Sequence, residues 1–224
     1  MFVNIFVLLY NFNMKFKKVK FDDISPQTFE HYNDIKVIVF DFDGTLYKNI
    51  DWTGYDKHVL KGIRKYFSEL TDSQYEQMLV KHNVQEDTVT EDLARLFRDE
   101  KGSTELYVEY MDSLKFEGDF SNAKIFSEEL LSQLSKKVKL FVLSNSSVPN
   151  IKFVCNKINL NLNAITKIYS NRFDVDDLSK TKRLKELIAE LDVIPSQVLM
   201  VGDSIVNDLI PARKLGLKTL HVVD

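Results

Sequence analysis

Two carboxylates stand at the exit of a strongly apolar segment. Residues 37–40 are Val-Ile-Val-Phe, the composition of a buried β-strand, and Asp41 and Asp43 follow it closely. Because side chains alternate along an extended chain, residues two apart point the same way, and both carboxylates can converge at the carboxyl end of the strand. Two like charges held close together are unfavourable unless a cation lies between them or a proton is shared. A bound divalent metal ion is the simplest resolution.

The next two residues favour a tight turn beside these carboxylates. Gly44 allows the chain to bend sharply, and Thr45 supplies a hydroxyl and a backbone N–H. The alternative is a solvated β-turn, since Asp and Gly are ordinary turn residues. Such a turn would explain Asp43 and Gly44, but not an acidic residue directly after four apolar ones.

Residues 41–46, Asp-Phe-Asp-Gly-Thr-Leu, resemble the first motif of the haloacid dehalogenase-like (HAD) hydrolases, which is D-x-D-G-T-L in the phosphatase branch of the family. The resemblance implies an α/β fold with a Rossmann-like parallel sheet flanked by helices. It also implies three further motifs in a fixed order downstream, so the rest of the chain tests it.

The second motif is a buried strand that ends in Ser or Thr. Residues 140–143, Leu-Phe-Val-Leu, are followed by Ser144 and Asn145. A hydroxyl at this point can donate a hydrogen bond to a phosphate oxygen. The alternative is a loop with a helix cap, because the next residues are Ser, Ser, Val and Pro.

The third motif is a lysine that opens a helix, and Lys180 fits that position. It precedes residues 184–191, in which apolar side chains recur at helical spacing. Lys182 is an alternative two residues further on. A lysine on a helix is most often a solvated surface charge, so the order of the motifs carries this assignment.

The fourth motif is a strand that ends in Gly-Asp, with another acid shortly after it. Residues 198–201 are apolar, Gly202 and Asp203 follow, and Asp208 lies at the start of the next helix. Gly-Asp alone could be a simple turn. As the fourth feature in order it is much more specific, and the resemblance covers roughly residues 35–224.

The resemblance implies a role for each acidic residue. Asp41 would attack phosphorus to form an aspartyl-phosphate, and Asp43 would protonate the leaving alcohol and then activate water. The implied cofactor is Mg²⁺, a hard ion that prefers oxygen ligands. Its ligands would be Asp41, the backbone carbonyl of Asp43, and Asp203, while Asp208 would complete the metal site through water.

The resemblance also implies a phosphate-binding set around the transferring group. Ser144 and Lys180 would hold the phosphoryl oxygens as charge redistributes in the transition state. Thr45 could also orient Asp43. The full phosphate-binding set is Thr45, Ser144, Asn145 and Lys180.

The acid at position 43 favours phosphatase chemistry within the family. Dehalogenases of the family lack an acid there, because a departing halide needs no proton, and sugar phosphomutases typically carry Glu-Asp where this chain has Gly202-Asp203. We therefore expect hydrolysis of a small phosphorylated metabolite, a nucleotide or a sugar or organic-acid phosphate monoester. The alternatives are a phosphoglucomutase-like phosphotransferase and a non-catalytic binding protein with the HAD fold.

The chain between the first two motifs is too long for one crossover connection. Its apolar residues recur at helical spacing in four segments, which predicts helices. Their place directly after the first motif resembles the helical cap that many HAD enzymes carry, and the resemblance implies such a cap over residues 48–118. The α/β core would comprise residues 35–47 and 119–224, with a helix over about 123–134. Residues 1–34 would be an N-terminal extension.

Composition excludes several classes of protein. The chain of 224 residues has a net charge of −3 and 28% charged residues, so there is no basic field to attract nucleic acid. Cys155 is the only cysteine, which excludes an internal disulfide and suits a reducing cytoplasm. The composition does not predict the oligomeric state.

The first twelve residues are nearly all apolar. They are fewer than the roughly 20 residues that span a bilayer, and they lack the positive region and cleavage site of a signal peptide, so stable membrane insertion is not expected. Residues 1–13 could be a peripheral strand, a membrane-surface anchor, or a wrongly assigned start. The last interpretation, with Met14 as the true initiator, is preferred.

Overall fold

The protein is described by a computed structural model over residues 15–84, 89–114, 118–170 and 180–224. Residues 1–13, which carry three alternative interpretations, lie outside the described residues. Across those four ranges, no helix combines the length and the apolar character needed to cross a membrane.

A six-stranded parallel sheet forms the centre of the molecule. Its spatial order is β1-β8-β7-β2-β5-β6, and every neighbouring pair runs parallel. A separate antiparallel ribbon joins β3 to β4. The strands are β1 (Lys17–Lys20), β2 (Val37–Phe40), β3 (Tyr47–Lys48), β4 (Lys124–Ile125), β5 (Lys139–Ser144), β6 (Lys167–Ser170), β7 (Val198–Gly202) and β8 (Lys218–Val223).

Helices cover both faces of the sheet, which explains the unbroken apolar runs of its central strands. Along β2, Ile38 and Phe40 pack into one hydrophobic cluster, and Val37 and Val39 pack into another on the opposite face. The first cluster is completed by α1 (Pro26–Glu30), α6 (Glu128–Ser135) and α7 (Val148–Ile158), and the second by α8 (Thr181–Leu191) and α9 (Ile210–Lys214). The α/β fold with a Rossmann-like parallel sheet is confirmed.

The direction of chain progression reverses at β2. From β2 the chain continues to β5 and β6 on one side, and it then returns to form β7 and β8 on the other side. The connections that leave β2 and β7 therefore run in opposite directions. In open α/β sheets this arrangement opens a crevice at the carboxyl ends of the strands, where ligands bind.

A helical segment lies between β3 and β4 and is described over residues 49–84 and 89–114. It contains α2 (Tyr55–Ile63), α3 (Asp72–Lys81), α4 (Val89–Lys101) and α5 (Glu105–Ser113). Its side chains form a hydrophobic cluster of their own, in which Gly62 lets α2 approach the Tyr110 hydroxyl: a Cβ at position 62 would lie 2.0 Å from that oxygen. At this close approach the Tyr110 hydroxyl donates a hydrogen bond to the carbonyl oxygen of Val59 over 2.9 Å.

Two details of the core differ from the sequence expectation. Residues 17–20, part of the assigned N-terminal extension, form edge strand β1 of the core sheet and pair with β8 through the backbone, a contact that side-chain composition does not signal. The helix expected over 123–134 begins only at Glu128. Residues 124–125 pair with β3, and the Ser127 hydroxyl caps the helix by accepting from the N–H of Leu130.

Candidate active site

Three adjacent strands bring the predicted site residues to one edge of the sheet. Asp41 follows β2, Ser144 ends β5, and Asp203 follows β7. The backbone N–H of Asp41 donates to the carbonyl oxygen of Val201 over 2.8 Å, so the first carboxylate stays in register with the neighbouring strand. The backbone of the three central strands therefore places these residues next to one another.

Three of the predicted carboxylates form a compact cluster. One oxygen from each of Asp41, Asp203 and Asp208 lies within 4.8 Å of the others. Gly44 makes room for this cluster, because a Cβ at that position would lie 2.4 Å from an Asp203 carboxylate oxygen. The donor set is all oxygen, which fits a hard divalent cation such as Mg²⁺.

Lys180 lies beside this cluster and is 2% exposed. Its ammonium group contacts Oδ1 of Asp41 and lies 2.6 Å from Oδ1 of Asp208. The residue has a left-handed backbone with φ of 58°, uncommon outside glycine, and directly precedes α8. Of the two candidate lysines, Lys180 joins the carboxylates, whereas the Lys182 side chain is exposed.

The pKa values of the carboxylate cluster and Lys180 reflect burial and the crowding of negative charges. Burial raises the pKa of Asp41 well above its ordinary value; the Lys180 charge opposes that rise, while the Asp208 and Asp43 charges add to it. Burial acts to lower the pKa of Lys180, but the charges of Asp41 and Asp208 outweigh it and raise that pKa. Desolvation, followed by the Asp208 charge, raises the pKa of Asp203. One ammonium group thus compensates the three carboxylates incompletely.

Asp43 occupies a different environment from Asp41. Its carboxylate is half-buried and lies outside the carboxylate cluster. Its Oδ2 accepts from the hydroxyl of Ser144 over 3.2 Å and from that of Ser146 over 2.8 Å, and its Oδ1 accepts from the hydroxyl of Tyr47. A contact between Asp43 and a metal ion would therefore have to come from its backbone carbonyl, as the resemblance implies.

The predicted phosphate-binding residues are placed differently from one another. The buried Thr45 hydroxyl lies 3.5 Å from carboxylate oxygens of both Asp41 and Asp203, so its hydrogen bonds in the described structure go to these two acids, and an orienting role toward Asp43 stays a prediction. Ser144 accepts from the backbone N–H of Ser146 over 2.9 Å and faces Asp43. Asn145 is half-buried beside Ser144 in the chain, and its part in binding phosphate stays a prediction.

Three residues of the site were not predicted from sequence. Tyr47 and Ser146 donate to Asp43, and Nε2 of His221 lies 3.0 Å from the backbone oxygen of Asp203. His221 lies within β8 opposite Gly202 of β7, so it supports the Asp203 turn from the neighbouring strand. A signal for Tyr47 exists in its spacing, four residues after Asp43 across the turn at Gly44, but a tyrosine in an apolar run is more often a core residue.

Replacing Lys180 with Met should destabilise the protein, because it leaves the buried carboxylates of Asp41 and Asp208 without their cation. We expect a loss of about 3–5 kcal/mol in metal-free buffer. Burial already raises the pKa of Asp41, and this variant removes the Lys180 charge that opposes the rise. The Asp41 carboxyl would therefore keep its proton in the folded state to higher pH than in the unfolded state, so stability should fall further between pH 5 and pH 8. Urea denaturation at both pH values measures this.

The exposed Lys182→Met variant is the matched control and should unfold like the wild type. An equal and small loss for both lysine variants would contradict the buried charge network described here.

Comparisons with known proteins place the chain in a family. The sequence model of the haloacid dehalogenase-like hydrolases matches residues 35–216. No curated protein matches the sequence significantly.

Several solved structures are similar to this one. An HAD family enzyme from Bacteroides thetaiotaomicron, in complex with magnesium and inorganic phosphate, is 18% identical with a TM-score of 0.47 and covers 84% of this chain and 93% of its own. A haloacid dehalogenase-like family hydrolase from Streptococcus pneumoniae is 15% identical with a TM-score of 0.49 and covers 85% of each chain. A protein from Haemophilus somnus described as a predicted phosphoglycolate phosphatase is 15% identical with a TM-score of 0.47 and covers 84% of this chain and 85% of its own.

The family model spans most of the chain and includes all four motifs, from the Asp41 turn to the Asp208 helix. With its parallel α/β core and its hydrolase family match, this chain belongs to the haloacid dehalogenase-like hydrolases and is an enzyme of that family.

Proposed function

We propose that this enzyme is a Mg²⁺-dependent phosphatase that hydrolyses a small phosphate monoester through an aspartyl-phosphate. The observation that carries the proposal is the contrast between Asp41 and Asp43. The Asp41 carboxylate lies among charged groups, and the Asp43 carboxylate lies among three hydroxyls. Two carboxylates in such different surroundings are suited to different roles, one as nucleophile and the other as acid and base.

In the first step Asp41 attacks phosphorus in line with the leaving oxygen. Its contact with the Lys180 ammonium group fixes the carboxylate before the substrate arrives. The same ammonium group and the Ser144 hydroxyl stabilise the phosphoryl oxygens as charge redistributes. A bound Mg²⁺, held by Asp41, Asp203 and the backbone carbonyl of Asp43 with Asp208 behind them, would neutralise further negative charge.

In both steps Asp43 transfers the proton. It protonates the leaving alcohol as the aspartyl-phosphate forms, and it then removes a proton from the water that hydrolyses this intermediate. Its carboxylate is more exposed than that of Asp41, which suits a group that exchanges a proton with the leaving alcohol and with water. The substrate class is a nucleotide or a sugar or organic-acid phosphate monoester.

The alternatives account for fewer of these features. A dehalogenase needs no acid at position 43, and a phosphoglucomutase-like phosphotransferase typically has Glu-Asp where this chain has Gly202-Asp203. A non-catalytic binding protein has no need for a buried lysine among three acids, an arrangement that costs desolvation energy. Phosphate hydrolysis is the interpretation that gives a role to Asp43, to Asp203 and to the buried Lys180.

We further propose that residues 48–118 act as a cap that selects the substrate, with residues 35–47 and 119–224 as the catalytic core. Trp52, at the start of this segment, is 36% exposed and its ring lies 6.0 Å from that of Phe120. Phe120 in turn lies 6.3 Å from Phe153 on α7, the helix that begins just after the Ser144 turn. This chain of rings supports a place for Trp52 near the substrate's leaving group. Tyr107 is 1% exposed and packs inside the hydrophobic cluster of the helical segment, so it is not available to contact a substrate.

Replacing Asp41 with Asn should abolish phosphate release and leave the fold intact. The variant loses the nucleophile, which usually costs several orders of magnitude in turnover, while relieving repulsion among the buried acids. We expect no measurable release of phosphate from p-nitrophenyl phosphate and an unchanged or higher melting temperature. Wild-type enzyme treated with EDTA should be equally inactive and should recover on addition of Mg²⁺.

The exposed Asp192→Asn variant is the matched control and should retain full activity. Activity of Asp41→Asn above about a hundredth of the wild-type level, or full wild-type activity in EDTA, would contradict the proposed mechanism.

Trp52→Ala should change the ranking of natural substrates, while Tyr107→Ala should not. The first substitution alters a partly exposed ring, so the order of kcat/KM among three unlike phosphate esters should change while the rate on p-nitrophenyl phosphate stays near wild type. The second creates a cavity in the helical segment and should cost about 3–5 kcal/mol. Kinetics on the three esters, together with melting curves, distinguish the two effects. A uniform loss across all esters for Trp52→Ala would reject its role in specificity.

A further inference from the structure

The Tyr47 side chain contacts Asp43, and the steps of the proposed mechanism do not involve Tyr47. Its hydroxyl donates to Oδ1 of Asp43, and the residue is 2% exposed. Its ring packs edge-on against Phe42, with centroids 5.0 Å apart. The contact is local, because the turn is closed by the N–H of Leu46 donating to the carbonyl oxygen of Phe42 over 2.9 Å. Tyr47 and Asp43 are therefore held together before any substrate binds.

The two oxygens of Asp43 have different surroundings. Oδ1 contacts the buried phenol, whereas Oδ2 faces the turn after β5, where it accepts from Ser146 over 2.8 Å and from Ser144 over 3.2 Å. In the proposed mechanism Ser144 binds the phosphoryl group, so Oδ2 is the oxygen on the substrate's side. Oδ1 is on the side of the protein interior.

A phenol carries its proton near neutral pH, and the Tyr47 hydroxyl donates that proton's hydrogen bond to Oδ1 of Asp43. The phenol is thus a fixed hydrogen-bond donor and takes no part in proton transfer itself.

We propose that Tyr47 is a positioning residue that anchors Oδ1 of Asp43 and so makes Oδ2 the oxygen that exchanges the proton with the leaving group. Ser146 assists by holding Oδ2 on the same side until the substrate displaces it. This inference rests on the proposed phosphatase function, in which Asp43 is the general acid and base.

The proton that Asp43 gives up in the first step is replaced in the second. In the first step the proton on Oδ2 moves to the oxygen of the departing alcohol as the bond from that oxygen to phosphorus breaks and the bond from Asp41 to phosphorus forms. In the second step water loses a proton to Oδ2, its oxygen bonds to phosphorus, and the bond from Asp41 to phosphorus breaks. Tyr47 donates the same hydrogen bond to Oδ1 before and after each step.

The alternative is that Tyr47 is a core residue whose hydroxyl merely finds an acceptor. The two roles differ in how the loss of the hydroxyl depends on the leaving group. A positioned acid matters when the leaving alkoxide is strongly basic, and it matters little when a p-nitrophenolate leaves. A structural role would depress both reactions equally.

The test compares Tyr47→Phe with wild type on benzyl phosphate and p-nitrophenyl phosphate, two esters of similar size. The measured quantity is kcat/KM, which covers the steps up to departure of the alcohol and excludes hydrolysis of the intermediate. We expect a loss of about tenfold or more with benzyl phosphate and less than about threefold with p-nitrophenyl phosphate. The melting temperature should stay close to wild type, because the Phe42 packing is kept.

Two further variants complete the experiment. Ser146→Ala should show the same dependence on the leaving group with a smaller loss, and it remains informative if Tyr47→Phe folds poorly. Tyr32→Phe is the matched control, since it removes a phenol that donates to the carbonyl oxygen of Thr219 over 3.3 Å away from the site, and it should match wild type on both esters.

Each outcome has one meaning. Equal losses on both esters, or no loss on either, in an enzyme whose wild type is active would overturn the positioning role and leave the phosphatase function standing. A wild type that releases no phosphate from either ester in the presence of Mg²⁺ would overturn the phosphatase function, and the positioning role with it.

Discussion

Crowding of negative charge at the carboxyl edge of the sheet is the constraint on which the rest of the site depends. Asp41 and Asp208 are buried, Asp203 lies beside them, and the Lys180 ammonium group is the cation that contacts two of the three. One positive charge does not balance three negative ones, so the site favours a further cation. Two local features permit this arrangement: Lys180 adopts an unfavourable left-handed backbone, and Gly44 has no Cβ to clash with Asp203. The parallel sheet meets the remaining requirement by fixing Asp41 and Asp203 on neighbouring strands.

The separation of Asp41 from Asp43 follows from the same constraint. Both residues leave β2 in one turn, yet only Asp41 joins the charged cluster. Asp43 is drawn to hydroxyl groups, which stabilise a carboxylate without adding charge. In the proposed mechanism the turn after β2 supplies the nucleophile and the general acid, and the turn after β5 supplies Ser144 and Ser146, which donate to that acid.

Much of the fold could be predicted from the sequence, because buried parallel strands leave long apolar runs: residues 37–40 were predicted as a strand and form β2 with those bounds. Strand β1 could not be predicted, since its lysine-rich residues pair through the backbone alone. The acids and Lys180 were predicted from their resemblance to the family's motifs and from the order of those motifs, and the structure brings Asp41, Asp203, Asp208 and Lys180 together. Tyr47 and Ser146 were missed because a tyrosine in an apolar run and a serine in a Ser-rich turn have common structural uses.

The most direct measurement is the search for the covalent intermediate on Asp41. Enzyme and an excess of p-nitrophenyl phosphate, mixed with Mg²⁺ and quenched in acid within the first turnovers, would be digested and analysed by mass spectrometry. The account predicts a phosphoryl group on the peptide that contains residues 41–46, located on Asp41 and removed by hydroxylamine, as expected of an acyl phosphate. Steady release of phosphate with no phosphorylated peptide at any quench time, or a phosphoryl group on another residue, would contradict it.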